Sequence, residues 1–510
     1  MIPKYIKWDI TCRCNLRCIH CSVGKEYFND GIEEISVDQK LMIVDKMADA
    51  GVAGISLLGG EPLIMGDDFF YIIQHAISKG LKVSFVTNGI LLSSRIIKRV
   101  VDSGIDHVTI SVDGPDKTCH EFIRGKGTFE KLIRNITELT AQIAEKESPL
   151  KVNVNTVLNR INYLDIDKMI DLCVQMGANR WTLLCLGSIG YAGDNFECLA
   201  IAPDDELDAV RRVAQRYSFG HHNGLNITLQ VYPLVIDYIE MKYNLKLPKS
   251  RICCNASINF GFIGPDGNMY PCDRISNEHY IGYDIYGAPI TPMSLIDHSF
   301  YEIWNSDYYT NMFKFILNND TYKNYHPCNH CKYLKNGYCN PCPLYSLDSN
   351  VDVKICRIVE KELGDISGSE EDMSLLDELL SNKNLLLEKT SKFSAKSEMV
   401  HLKVPIKMWG VRSFEKGENL ILLSPYDVNY SGLNMSGKLI WDLINGENTV
   451  QDISDVIIEM AAEAVKNVSS PIVEDELRKE LNEKVLFFIY NLYDLGLISW
   501  KSNCVRPTPP

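Results

Sequence analysis

Six short apolar segments, each followed by a stretch of helical periodicity, fill the chain from Tyr5 to Gly187, and no other feature limits the fold as strongly. They read "YIKWDIT" (5–11), "GISLLGG" (54–60), "KVSFVTNG" (82–89), "HVTISVDG" (107–114), "KVNVNTVL" (151–158) and "RWTLLCLG" (180–187). Strand and helix alternating six times predict a parallel sheet with right-handed crossovers. The intervening helices carry their own end signals. "SVDQKLMIVDKMADAG" opens with a capping box at Ser36 and Gln39 and closes at Gly51. Polar and glycine residues gather where the strands end, as a site on a C-terminal rim requires, so a full or partial barrel is expected over an open sheet.

"CNLRCIHC" (14–21) follows directly on the first strand. Its spacing, Cys14-x3-Cys18-x2-Cys21, lets three thiolates converge on one centre while the backbone turns around it. Structural zinc is normally closed by four ligands, whereas a [4Fe–4S] cluster on three cysteines keeps one iron open. Zinc with Cys12 or His20 as fourth ligand is the competing reading. The chain has 17 cysteines and a start, "MIPKYIKWDITC", without a secretory signal. No apolar run is long enough to span a bilayer. A cytoplasmic, reducing setting is therefore expected, in which clustered cysteines are metal ligands more often than disulfides. Cys119, Cys173, Cys185, Cys198 and Cys504 stand alone and read as free thiols.

Two further rim segments join the cysteine loop. "GGEP" (59–62) ends the second strand, and "SVDG" (111–114) ends the fourth. Each alone is a turn signal. In this order, behind a three-cysteine loop, they make residues 1–190 resemble the radical S-adenosylmethionine (SAM) superfamily. The resemblance implies an α/β fold, a partial (β/α)6 TIM-like barrel. It also implies that Cys14, Cys18 and Cys21 hold a [4Fe–4S] cluster whose open iron binds SAM. One electron from a flavodoxin or ferredoxin-type donor would then cleave SAM to a 5′-deoxyadenosyl radical. Among SAM contacts it implies His20 near the adenine, and Gly59, Gly60 and Glu61 around the methionine amino group. Ser111 and Arg124 (in "HEFIRGKG") would touch the ribose and carboxylate, and Leu186 would face the adenine. A surface role is the alternative for Arg124. No catalytic acid or base is named by the sequence.

A second cysteine field runs Cys254-x12-Gly267-x4-Cys272, then Cys328-x2-Cys331-x7-Cys339-x2-Cys342, then Cys356. Alone, residues 328–342 could be a zinc knuckle. Behind a radical site, the seven cysteines and the glycine before the second resemble the SPASM extension of peptide-modifying radical enzymes. That resemblance implies two auxiliary [4Fe–4S] clusters, one on Cys254, Cys272 and Cys342, the other on Cys328, Cys331, Cys339 and Cys356. The last gaps depart from the usual pattern, and adjacent Cys253 could replace or join Cys254.

From about Val404 the pattern changes again, to strands around the turn "EKGEN" and then three helices ending in "LISW". Strands followed by helices resemble a winged helix. Residues 401–510 hold 11 lysines and arginines against 15 aspartates and glutamates, and the whole chain carries a net charge of −14. That balance disfavours nucleic acid as a partner. The segment instead resembles the PqqD-like recognition element that captures leader peptides of ribosomally made precursors, carried by "LILLSP", "GKLIWDLINGENTVQDI" and "LYDLGLISW". A packing or dimerisation domain is the plainer alternative.

The expected organisation is therefore a radical SAM barrel over 1–200, a bridge over 201–250, the SPASM region over 251–360, a connector over 361–400 and the winged-helix-like domain over 401–510. The expected activity is oxidative modification of a ribosomal precursor peptide, giving a thioether or carbon–carbon cross-link, with no membrane partner. Peptide epimerisation and oxidation of a protein serine or cysteine are the enzymatic alternatives. A non-catalytic iron–sulfur sensor or adaptor is the alternative of another class.

Overall fold

In the computed structural model, seven parallel strands in sequential order form the centre of one sheet. They are β1 (Tyr5–Asp9), β2 (Gly54–Leu58), β3 (Lys82–Thr87), β4 (His107–Ser111), β5 (Lys151–Val157), β6 (Arg180–Leu184) and β7 (Asn226–Leu229). The described residues are 3–28, 32–248, 252–254, 256–274, 292–317, 322, 326–335, 339–342 and 354–363. Nearer the C-terminus they are 405–407, 412–416, 419–423, 430–433, 435–445, 447–465, 481–482, 485–486, 488–489, 492 and 498–500. All six strands expected from the sequence form, each stopping one to three residues before the apolar segment does. The remainder of each segment turns into a rim loop. The helix Val37–Ala50 has the expected capping box, with Ser36 and Gln39 bonding reciprocally, and Gly51 ends it at φ +86°.

The strands have one apolar and one polar face. Trp8, Ile55, Phe85, Ile110, Val154 and Trp181 are buried, and Phe85 meets Phe69 of the helix Asp67–Ser78 edge-on at 5.2 Å between centroids. That face is therefore the outer one, under the helices. The opposite face carries Ser84, Thr109, Asn153 and, at the rim, Ser111 opposite Asn155. Parallel strands covered on both faces are ordinarily apolar throughout, so the polar inner face marks a lumen built for something other than packing.

The cysteine-rich region does not stand apart from this sheet. Behind β8 (Ile252–Cys253), strand β9 (Phe260–Ile263) runs parallel to β1 along its free side. β10 (Asn268–Tyr270) and β11 (Met293–Ser294) follow antiparallel, and the sheet reaches ten strands. Gly267 makes the β9–β10 turn at φ +80°, a conformation that favours glycine. Strand β12 (Cys339–Asn340) pairs with β8, setting Asn340 opposite Cys253. The expected bridge contributes the seventh strand, β7. Nothing pairs β7 with β11 among the described residues, so the barrel is partial. Among them, too, no helix is long and apolar enough to cross a membrane.

Residues 368–510 form a second compact unit. Most of the expected connector, 364–400, lies outside the described residues. The unit has a meander of β14 (Arg412–Lys416), β15 (Asn419–Leu423) and β16 (Tyr430–Leu433), introduced by β13 (Pro405–Lys407), which pairs with β17 (Ile498–Trp500). Helices Met435–Leu443 and Val450–Val465 follow the meander. Leu422, Ile440, Trp441, Ile444, Val450, Ile453, Val485, Ile489 and Leu492 make its core. Around the expected turn "EKGEN", Lys416 pairs with Asn419, and positions 417–418 lie outside the described residues.

Candidate active site

The loop carrying Cys14, Cys18 and Cys21 is clamped on three sides. Toward β2, Gly60 N–H donates to Thr11 O and Glu61 N–H to Arg13 O, both at 2.8 Å. A Cβ on Gly60 would stand 2.2 Å from Arg13 O, and one on Gly59 2.2 Å from Thr11 O. The bare glycines therefore let two backbones touch, which fixes the loop itself. Toward β4, Ile19 N–H donates to Ile123 O at 3.1 Å from the helix Lys117–Arg124. Beyond β6, Asn195 Nδ2 donates to Ile19 O at 3.0 Å.

Glu61 is fully buried. Its carboxylate accepts from Leu63 N at 3.2 Å, Thr87 Oγ1 at 2.8 Å and Asn88 N at 2.7 Å, tying the end of β2 to the end of β3. Burial lifts its pKa to about 7 against these bonds. Its side chain is a strut between strands, and a ligand at this stretch would meet backbone.

Arg124 and His20 converge on a residue that spacing did not single out, Asp113 of "SVDG". Arg124 Nε donates to Asp113 Oδ2 at 2.5 Å and His20 Nε2 to the same oxygen at 2.7 Å, while Val157 N donates to Oδ1 at 2.8 Å. Burial works to raise the Asp113 carboxyl. The Arg124 guanidinium, and then His20, outweigh it and hold the group well below the usual carboxylate range. Arg124 Nη1 reaches Cys18 Sγ at 3.9 Å. The surface reading of Arg124 is thereby excluded, since its side chain is only 10% exposed. Asp113 N–H also donates to His120 Nδ1 at 3.2 Å, and burial followed by Arg124 lowers His120 to about 4. His120 is therefore neutral at physiological pH.

The donor set fits an iron–sulfur cluster. Burial raises all three thiols, Cys18 to about 12, and Arg124 works against the rise at each. A bound cation would reverse that penalty, because thiolates are the ligating form. Cys12, the proposed fourth zinc ligand, turns away: its thiol donates to Glu34 Oε1 at 3.2 Å. His20 Nδ1 is buried beside the loop with no partner, as expected where a bound group completes the site. Ser111 and Leu186 are half-buried, at and just beyond the ends of β4 and β6.

In the auxiliary region, Cys328, Cys331, Cys339 and Cys356 line one small cavity, closed by Tyr232, Pro233, Leu234, Pro327, Tyr333 and Leu334. This is the tetrad expected for the second auxiliary cluster. Cys254 and Cys342 lie close enough to the buried Tyr322 to influence its phenol, which burial first and then these thiols push well above its ordinary value. Cys339 and Cys328 act on it in the same direction, so thiols of both cysteine groups lie near Tyr322. Cys272, just past β10, lies near Tyr309. Among the described residues the nearest approach to a simple metal site is elsewhere, at His326, His330 and Glu360, which no sequence motif announced.

Residues 8–173 match the radical SAM superfamily, and residues 253–332 match the SPASM iron–sulfur cluster-binding domain. The AdoMet-dependent heme synthase of Nitratidesulfovibrio vulgaris is 26% identical over 352 residues, covering 66% of this chain and 87% of that protein. The PqqA peptide cyclase of Rhizobium meliloti is 29% identical over 272 residues, covering 53% and 67%. The crystal structure of Streptococcus suis SuiB bound to S-adenosylmethionine superposes with a TM-score of 0.51 at 18% identity, over 68% of this chain and 74% of that one. The site holds SAM on a [4Fe–4S] cluster, and the SPASM region holds auxiliary clusters. A clamped three-cysteine loop at the mouth of a partial barrel, followed by a second cysteine field on the same sheet, is what this chain's radical SAM domain, residues 8–173, and SPASM domain, residues 253–332, place side by side.

Proposed function

We propose that the enzyme modifies a ribosomally made precursor peptide, binding its leader on the C-terminal unit and oxidising its core to a thioether or carbon–carbon cross-link. The observation that carries this reading is the pairing of a radical SAM/SPASM enzyme, similar to a PqqA peptide cyclase, with a separate small sheet-and-helix unit. In the described part of that unit, β14 and β16 are the edges of a three-stranded sheet. An extended leader can add a strand to such an edge, where main-chain bonds give affinity and alternate side chains give selectivity.

The cluster with SAM, reduced by a flavodoxin or ferredoxin-type donor, supplies hydrogen abstraction. This chain's residues do the rest. Asp113 holds Arg124 and His20 in fixed orientation beside the cysteine loop, and Ser111 and Leu186 border the same mouth. The polar inner faces of β3, β4 and β5 give an extended peptide hydrogen-bonding partners. Tyr322, near thiols of both auxiliary cysteine groups, donates its phenol O–H to Pro341 O at 2.5 Å and so braces the segment that carries Cys339 and Cys342.

Two other reactions keep specific support. Epimerisation is favoured by Cys185, just past β6, whose Sγ–H donates to Gln230 O at 3.0 Å and could return hydrogen to a peptide radical. Chemistry on a heme precursor is favoured by the longer match to the heme synthases. Removing residues 401–510 tests the peptide reading: the truncated enzyme should lose precursor affinity at least about tenfold and still cleave SAM unproductively. Undiminished precursor binding would remove leader capture from the account.

A further inference from the structure

We propose that His326, His330 and Glu360 form a divalent-metal site of the zinc class, separate from the iron–sulfur centres, that staples the helix Lys354–Leu363 to the cysteine loop preceding it.

Glu360 presents one carboxylate oxygen to each imidazole: Oε2 lies 2.7 Å from His326 Nε2, and Oε1 lies 2.5 Å from His330 Nε2. The three ligand atoms fall within 4.8 Å of one another, and the two rings stand 5.2 Å apart at 34°. Two imidazoles and a carboxylate are the donors of an open zinc site, which keeps a fourth position for water. Around a tetrahedral ion, donors sit about 3.4 Å apart, so an ion enters by moving these side chains less than about 1 Å. Imidazole with carboxylate favours zinc, nickel or copper over calcium or magnesium.

The surroundings orient the ligands for such an ion. His330 Nδ1 faces Asn329 Oδ1 at 2.8 Å. With a metal on Nε2, the Nδ1–H donates to that amide oxygen, which is how metal-bound histidines are commonly fixed. Arg357 Nε donates to His326 O at 2.9 Å, holding the backbone of the first ligand against the same helix. Glu360 is 13% exposed while His326 is 55% exposed, so the carboxylate is anchored and the open position faces solvent.

The placement has a consequence for the second auxiliary centre. His326 and His330 flank Cys328, Cys331 follows His330 directly, and Glu360 lies one helical turn beyond Cys356. An ion here fastens together the two segments that must each deliver cysteines to one cavity.

The test uses the full-length protein with its iron–sulfur clusters reconstituted, washed with chelator and titrated anaerobically with cobalt(II) chloride. One cobalt should bind with ligand-field bands of nitrogen and oxygen donors and without thiolate charge-transfer absorption, and zinc should displace it. Glu360→Gln and His330→Ala should lose that cobalt while iron content stays unchanged. Asn329→Ala, at an exposed position, should weaken binding about tenfold and serves if either ligand variant fails to assemble its clusters. Thiolate charge-transfer bands, absence of binding, or undiminished affinity in Asn329→Ala and Glu360→Gln would overturn the proposal.

Discussion

Arg124 donates its Nε–H to Asp113 Oδ2 at 2.5 Å and, with the same guanidinium, comes within 3.9 Å of Cys18 Sγ. A fully buried carboxylate thus aims a cation at a sulfur of the three-cysteine loop from across the barrel mouth. Removing one partner of a buried pair leaves an uncompensated charge. Asp113→Asn should therefore destabilise the protein by about 3–5 kcal/mol. Asp45→Asn, which breaks an exposed contact to His75 and Lys79, should cost under about 1 kcal/mol. Thermal unfolding of the two variants side by side reads the difference.

A methyl group at Gly60 would collide with Arg13 O in the cysteine loop. Gly60→Ala should shift that loop and lose about a third of the iron bound after reconstitution, the share of one cluster in three. SAM cleavage should fall with it, while the absorbance of the auxiliary clusters persists. Iron analysis beside the Cys14→Ala/Cys18→Ala/Cys21→Ala variant supplies the reference value.

Cys328, Cys331, Cys339 and Cys356 share one cavity, so their losses should not add. The double variant Cys328→Ser/Cys356→Ser should lack the same cluster as either single variant, with equal iron content. Combining Cys328→Ser with Cys254→Ser should remove two clusters. Iron content and Mössbauer spectra of the four variants distinguish shared from separate centres.

Burial lifts the Glu206 carboxyl to about 7. A carboxyl with a folded pKa above its unfolded value binds its proton more tightly when folded. The native state is then favoured at low pH and loses stability as pH rises from about 4.5 to about 7. Glu206→Gln should gain on the order of 2 kcal/mol over the parent at about pH 8, with a much smaller gain near pH 5. Melting temperatures at the two pH values measure this.

How far the sequence carried the fold depends on distance along the chain. Apolar periodicity located the six strands, and Ser36, Gln39 and Gly51 marked one helix at both ends, because these signals are local. Cys14, Cys18 and Cys21 were legible for the same reason. Asp113 was not, although it stands inside a segment already noticed: besides Arg124, two of its partners lie 93 and 44 residues away, at His20 and Val157. Gly59 and Gly60 drew attention as room for a ligand, yet the contact that needs them is the backbone of Thr11–Arg13. β9 to β11 read as part of a separate extension because turns and cysteines dominate there, and only pairing with β1 joins them to the barrel sheet. The His326–His330–Glu360 group has a four-residue spacing in a non-helical loop and a third member 30 residues on, a pattern without a sequence signature.

The central claim is radical chemistry on a bound precursor peptide. It is tested most directly by weighing a candidate precursor after anaerobic incubation with the reconstituted, reduced enzyme and SAM. The account predicts a loss of two hydrogens from the peptide together with 5′-deoxyadenosine, and fragments that locate a new cross-link. Unchanged peptide mass with no deuterium gained in deuterated water, from an enzyme that consumes SAM and converts a heme precursor instead, would contradict it.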